Sequence, residues 1–184
     1  PDENAIITLL DKARLHDACA AVNIDVPETH ALGEAGAEDP VVQRFHWPML
    51  LKPRTQIFME GGVKGIIVET REQLAGELAR YKSQARFNRV LTDRHPNIAE
   101  PMAQEYLTVA ETSIFSVSGF ITKEGEIVAR AAMKVLQRPR KVGIGLCFEG
   151  RPIEQPVLDR LVKLCEHVGY WGAFESEFIA DGDR

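Results

Sequence analysis

Two glutamates, Glu175 and Glu177, stand two residues apart in an alternating stretch, so on a strand both carboxylates point to one face while Phe174 and Phe178 turn to the other. Two acids side by side repel unless a cation neutralises them. Hard oxygen donors of this kind suit Mg²⁺ held together with phosphates; an exposed strand face accounts for the same pattern. Lys134 interrupts an apolar run, where a lysine must snorkel to water, pair with an acid or meet an anion. Snorkelling is the commonest of these outcomes. A glycine-rich loop over residues 52–65 carries Lys52, Gly61, Gly62 and Lys64 between two expected strands, and could close as a flap whose N–H groups and lysines face phosphates. It lacks the glycine order and the following helix of a P-loop, and an ordinary surface turn has the same composition. Gln104, Glu105, Tyr106 and Leu107, with Glu111 just beyond, offer a strand edge able to bond a purine through its main chain and a carboxylate able to accept ribose hydroxyls. A linker strand with solvated acids is the bland alternative. Arg140, in the basic stretch 138–141, belongs to a substrate-facing loop or to a solvated one.

The elements that would carry these groups follow from periodicity. Apolar residues at helical spacing over 4–22 predict one amphipathic helix, stopped by Asn23 and Pro27. Residues 29–42 are Gly-, Ala- and acid-rich and read as a loop or a poorly formed helix. Residues 46–53 and 65–69 read as strands, and Thr70 as the N-cap of a helix over 71–86. Beyond Pro101 come a strand at 102–107, an alternating segment at 114–122, a hairpin turn at 123–126 and its return strand at 127–135. A helix over 156–169, ended by Gly169 in the left-handed conformation, leads into a last strand at 172–179. The fold class is α+β in two lobes, each a mostly antiparallel sheet with helices. The expected divisions are a leading helix and linker over 1–47, a small lobe over 48–100 and a large lobe over 101–184.

Composition narrows the classes. The 184 residues, 45% hydrophobic and 27% charged, fit a globular enzyme-like chain rather than a disordered or fibrous one. The formal net charge of −5 gives no basic field to draw the molecule to nucleic acid or an anionic membrane. No apolar run is long enough to span a bilayer. Cys19, Cys147 and Cys165 show no zinc spacing and suggest a reducing, cytoplasmic setting. The five histidines are scattered and build no nucleophile–base pair. The missing initiator Met and a final strand without its return partner read as a fragment of a longer chain.

In order, Asp11 and Lys12, a helix, Pro27 to Thr29, Pro48 to Pro53, the glycine-rich flap, Gln104 to Leu107 with Glu111, Lys134, and Gly172 to Phe178 resemble the ATP-grasp superfamily over nearly the whole chain. The resemblance is to its ATP-dependent carboxylate-amine ligases. It implies that a cleft between the two lobes binds ATP and Mg²⁺. Lys12 and Lys52 would contact the α- and β-phosphates beneath the flap of Gly61, Gly62 and Lys64. The main chain of Gln104, Glu105, Tyr106 and Leu107 would read adenine, and Glu111 would take the ribose. Lys134 would approach the γ-phosphate, Arg140 the acyl phosphate or acidic substrate, and Glu177, with Glu175, the metal. A carboxylate would be activated as an acyl phosphate and passed to an amine, both small molecules. A degenerate module that binds nucleotide for regulation or assembly is the alternative, and a homo-oligomer is left open. Glu175 stands where the D-alanine ligase branch has an arginine, which argues against that activity; it could instead pair with Arg140 or Arg151. The flap carries the bulky Phe58 and Met59, and the family's second acidic metal motif lies outside this sequence.

Overall fold

The amphipathic stretch at the start is two helices, not one: α1 (Glu3–Leu10) and α2 (Lys12–Ala21). The structure is a computed structural model that describes residues 1–33, 35–57, 59–61 and 64–180. The break falls at Asp11 for a chemical reason. Its carboxylate accepts the Ala13 N–H at 3.0 Å, the bond an N-cap residue makes, so a new helix starts there. The expected stop holds, since α2 ends at Ala21 and Asn23 turns into the left-handed region at φ 57°.

One compact unit comprises Leu10–His16 and Val26–Tyr106. Its elements are β1 (Thr29–Ala31), β2 (Met49–Pro53), β3 (Met59–Gly61), β4 (Ile66–Val68), α3 (Arg71–Gln84), β5 (Arg86–Phe87), α4 (Arg89–Arg94) and β6 (Pro101–Glu105). The main sheet runs β1-β6-β2-β4, every pair antiparallel, while β3 and β5 form a separate ribbon. On β2, Met49 and Leu51 are fully buried against Ile66, Val68 and the inner face of α3 at Leu74, Leu78 and Tyr81. Strand alternation therefore turns Leu50 and Lys52 to the other face. Thr70 is the N-cap residue of α3, although its side chain makes no capping bond. Of the loop or poorly formed helix expected over 29–42, the structure has the short helical turns and adds a strand at the start. The segment holds β1, paired with β6, then short 3-10 turns that bury Val42 and Phe45 in the same core.

The second unit comprises Pro1–Leu9, Asp17–Asp25 and the chain from Leu107 onward. Its elements are β7 (Ile114–Ile121), β8 (Ile127–Arg138), β9 (Ile144–Arg151), α5 (Gln155–Val168) and β10 (Gly172–Ile179), with sheet order β10-β7-β8-β9, again all antiparallel. The helix α5 clusters Val157 and Leu161 with Phe115, Val117, Ala131, Phe174 and Phe178, which assigns one sheet face to the core. Gly119 is required where β7 meets β8, because a Cβ there would lie 2.2 Å from the Val128 carbonyl oxygen. Gly169 ends α5 at φ 71°, as the sequence predicts. The strand β9 was not anticipated; the basic stretch 138–141 lies where β8 turns into it. Among the described residues no helix is long and apolar enough to cross a membrane.

Candidate functional site

In the first unit a polar row crosses three strands. Leu50 and Thr29 both face Gln104 in the ladders, so Gln104 stands diagonally from Lys52 on the same face. The Lys52 ammonium donates to Gln104 Oε1 at 3.1 Å, and Gln104 Nε2 donates to Thr29 Oγ1 at 2.9 Å. The Thr29 hydroxyl in turn donates to the Pro27 carbonyl at 2.8 Å. Each member fixes the next, which sets the amide orientation of Gln104 and the reach of Lys52. Lys12 opens α2, and both its N–H and its ammonium bond the Arg54 carbonyl, at 2.9 and 3.3 Å. Two cations are thus tied to one stretch of chain, Lys52 within β2 and Lys12 through the residue just past its end. As point charges on flexible stems they suit a polyphosphate.

The flap residues divide. Gly61 closes β3 opposite Arg86, and Lys64 lies in the turn before β4. Gly62, with Phe58 and Val63, lies outside the described residues. At the end of β6, the Glu105 N–H is taken by the Glu28 carbonyl at 2.8 Å, and its carboxylate accepts the Glu28 N–H at 3.3 Å. The division between the units falls between Tyr106 and Leu107. The Leu107 carbonyl accepts the Ala110 N–H at 3.0 Å, starting the 3-10 turn that ends with Glu111.

In the second unit the register aligns Glu177 with Ser116 and Ser116 with Ala132, and likewise Glu175 with Ser118 and Ser118 with Arg130. These residues occupy the sheet face away from α5. Lys134, two positions beyond Ala132, reaches Glu177 and forms an ion pair with its Oε1. The Lys134 side chain is 3% exposed and that of Glu177 47%. Lys134 therefore does not snorkel; it is buried and paired, which replaces the commoner expectation. Arg151 is not a partner for Glu175. It stands opposite Ala131 on the covered face, 4.4 Å over the Phe115 ring, and bonds Glu154 at 2.7 Å. Arg140 lies in the turn after β8, where its carbonyl accepts from the buried Gln137 side chain.

Ser116 was missed by the sequence reading. It is 5% exposed, and its hydroxyl has no hydrogen-bond partner among the described residues. The available signal was its position on the acid-bearing face, but only the sheet order makes that visible. The register sets Ser116 opposite Glu177, with Glu175 two positions along the same face, and oxygen donors of these types are the kind Mg²⁺ takes. Among the described residues no three His, Cys, Asp or Glu side chains gather around one point, so an ion here would draw further donors from phosphate and water. A cleft of about 360 Å³ elsewhere in this unit, lined by Lys123, Glu124, Glu166 and Trp171 among others, contains none of the candidate residues.

No family model and no curated protein sequence matches the chain. Solved structures do. A biotin carboxylase from Campylobacter jejuni, in complex with an ATP analogue, superposes on 98% of this chain and 39% of its own at TM-score 0.74 and 18% identity. A carboxyaminoimidazole ribonucleotide synthase from Aspergillus clavatus, complexed with ATP, covers 100% of this chain and 44% of its own at TM-score 0.66 and 15% identity. The ATP-grasp ligase PsnB, complexed with a precursor peptide and AMPPNP, covers 98% and 48% at TM-score 0.60 and 17% identity. This chain thus spans less than half the length of each, 39% to 48%. At such identities the likeness is one of fold.

Proposed function

Because the chain has the ATP-grasp fold, we propose that it is the nucleotide-binding part of an ATP-dependent ligase that activates a carboxylate as an acyl phosphate and passes it to an amine. The observation that carries this reading is the buried Lys134 ammonium whose partner, Glu177, is half exposed. A cation kept from water needs a counter-charge at all times. Glu177 supplies it here, and a nucleotide phosphate would supply it in its place, which would leave the carboxylate to hold a divalent cation. The exchange leaves no charge unpaired.

Lys12 and Lys52 neutralise the α- and β-phosphates beneath the flap of Gly61, Gly62 and Lys64. Gln104 lies in a strand paired on both sides and the Glu105 N–H is taken by the Glu28 carbonyl, so of the expected segment it is the main chain of Tyr106 and Leu107, past the end of β6, that reads the adenine, and Glu111 accepts the ribose hydroxyls. Glu177, Glu175 and the Ser116 hydroxyl would hold Mg²⁺, which would offset charge on the phosphate oxygens. A substrate carboxylate oxygen attacks the γ-phosphorus, the bond to the ADP oxygen breaks, and Lys134 neutralises the charge that spreads over the transferring group. The amine nitrogen then attacks the acyl carbon, phosphate leaves, and the amine proton passes to solvent. Arg140 steadies the acyl phosphate or the acid. The structural neighbours, a carboxylase, a synthase and a ligase in nucleotide complexes, support the reaction class. The unpaired state of Cys19, Cys147 and Cys165 supports a reducing, cytoplasmic setting.

The test is thermal unfolding of the intact protein with and without MgATP, because a ligand specific to the native state raises its apparent stability. The expected result is a rise in Tm that Lys52→Ala abolishes and Glu177→Ala reduces, followed by phosphate release when the right acid and amine are supplied. No stabilisation at millimolar MgATP overturns the reading. Stabilisation without turnover on any acid and amine replaces the ligase with a nucleotide-binding module.

A further inference from the structure

The strongest buried polar cluster that the proposed chemistry leaves unused is the one around Arg54. Its side chain is 10% exposed, and that of Asp11 is 3% exposed. The two meet as a fork, Arg54 Nε to Asp11 Oδ1 at 2.9 Å and Nη2 to Oδ2 at 2.5 Å. The third guanidinium nitrogen, Nη1, donates to the Asn97 carbonyl at 3.3 Å and lies 3.7 Å from Glu100 Oε2. Asp11 spends its remaining capacity on the Ala13 N–H, and Arg14 Nε lies 3.7 Å from its Oδ2. A bidentate arginine–carboxylate pair of this kind is directional as well as strong. All these residues belong to the first unit.

The clasp joins two segments 43 positions apart in sequence, the start of α2 and the end of β2. Its consequence falls on Lys12. That residue follows Asp11, and its N–H and ammonium both bond the Arg54 carbonyl. Arg54 thus holds Lys12 twice over, through the carboxylate next to it in sequence and through its own main chain. Arg54 is also two residues beyond Lys52, which the Gln104 row holds independently. The apolar pattern over 4–22 does not by itself call for a break at Asp11. The break buries a carboxylate and an arginine, a costly step in itself, and what it fixes in return is the Lys12 end of α2 against the Lys52 end of β2.

We propose that Arg54 is a positioning residue, which with Asp11 presets Lys12 relative to Lys52 as a two-cation site for the polyphosphate of a nucleotide. This rests on the function proposed above. Lys12 keeps its ammonium on the Arg54 carbonyl in the free protein and moves it to phosphate oxygens when nucleotide binds. The clasp therefore acts on the phosphates and not on the base.

The experiment compares binding of MgADP and of adenosine to the intact protein, by calorimetry, for wild type, Arg54→Lys, Lys12→Ala and the double variant. Arg54→Lys keeps the charge but cannot form the fork. The expected result is that it weakens MgADP binding by ~10-fold, the scale of one charge-assisted contact, with adenosine affinity unchanged. The double variant should then bind MgADP no worse than Lys12→Ala alone, because Arg54 works through Lys12. If Arg54→Lys does not fold, as judged by circular dichroism, Asp11→Asn carries the same test, since it removes the charge of the fork while keeping its shape. Equal losses for adenosine and MgADP, or additive losses in the double variant, would show a merely structural clasp and overturn the inference while leaving the function intact. Failure of the wild-type protein to bind either ligand overturns the function and the inference with it.

Discussion

Replacing Glu177 by Gln removes the counter-charge of Lys134 while keeping nearly the same side-chain shape. The magnitude follows from exposure. Breaking a fully buried ion pair costs about 3–5 kcal/mol because a charge is left stranded, and breaking an exposed pair costs about 1 kcal/mol or less. Here the cation is 3% exposed and the acid 47%, so water reaches the pair from one side only. A loss of about 2 kcal/mol is expected, which for a chain of this length lowers Tm by about 4–8 °C. Scanning calorimetry of the intact protein in EDTA reads it directly.

The same geometry predicts what repairs the loss. Lys134→Met in the Glu177→Gln background replaces the stranded charge with a side chain of similar volume, and should recover most of the stability. Inorganic tripolyphosphate in EDTA should stabilise Glu177→Gln more than wild type, because the anion meets an unopposed ammonium instead of an ion pair. With Mg²⁺ present the order should reverse, since the variant lacks the metal's carboxylate. An unchanged Tm in Glu177→Gln, or an anion response identical to that of wild type in both conditions, would refute the view that Lys134 depends on Glu177.

Tyr81 is 1% exposed and its hydroxyl has no hydrogen-bond partner among the described residues, so Tyr81→Phe should be neutral or stabilising by up to ~1 kcal/mol in urea unfolding. A clear destabilisation would mean that the hydroxyl is satisfied. Gly119→Ala would place a Cβ 2.2 Å from the Val128 carbonyl oxygen and 2.8 Å from the Ala129 Cα, both backbone, and should cost about 3 kcal/mol as β7 and β8 part. An unaltered urea midpoint would contradict the register of that ladder. Burial pushes the thiols of Cys19 and Cys165 up to about 11, while Cys147 is exposed, so a thiol reagent at pH 8 should label Cys147 alone until denaturant is added. Because those buried thiols stay protonated when folded and ionise near 9.0 when unfolded, their contribution is full below pH 9.0 and is lost as pH rises through about 11. Cys19→Ala with Cys165→Ala should flatten the alkaline fall in the urea midpoint over that range.

What was legible in the sequence was local. The helix α5 announces itself by apolar spacing, Pro156 near its start and Gly169 at its end, and the β7–β8 hairpin by alternation around a short turn. Each is settled by contacts within a dozen or so residues. The break at Asp11 is not, because the guanidinium that stabilises it belongs to Arg54. Nor is β1, three residues whose only ladder partner is β6, or β9, whose Ile144, Leu146 and Phe148 are exposed and so give no burial signal of a covered strand. The site divides the same way. Residue types and strand period singled out Lys52, Lys134, Glu175 and Glu177 as candidates, each with a bland reading beside it, and only the ordered series of motifs weighed against that reading. Their partners were hidden.

Lys134 shows why the sequence left three outcomes open and leaned to the wrong one of them. Snorkelling is the better expectation when only water and sequence neighbours are counted, because Met133 and Val135 offer no charge. The hairpin register could be counted outward from the turn at 123–126, and it pairs Ser116 with Ala132. What could not be counted was the pairing of Glu177 with Ser116, which depends on β10 returning to the far edge of β7 after α5. Once that order is known, an acid and a lysine share one face across a single intervening strand, and pairing costs less than extending a buried ammonium to solvent. A lone lysine in an apolar strand is therefore better read against every acid at matching parity on strands of the same sheet than against its own flanks. By that criterion Glu177 stands ahead of Glu175, whose register neighbours, Ser118 and Arg130, lie further along the sheet from Lys134.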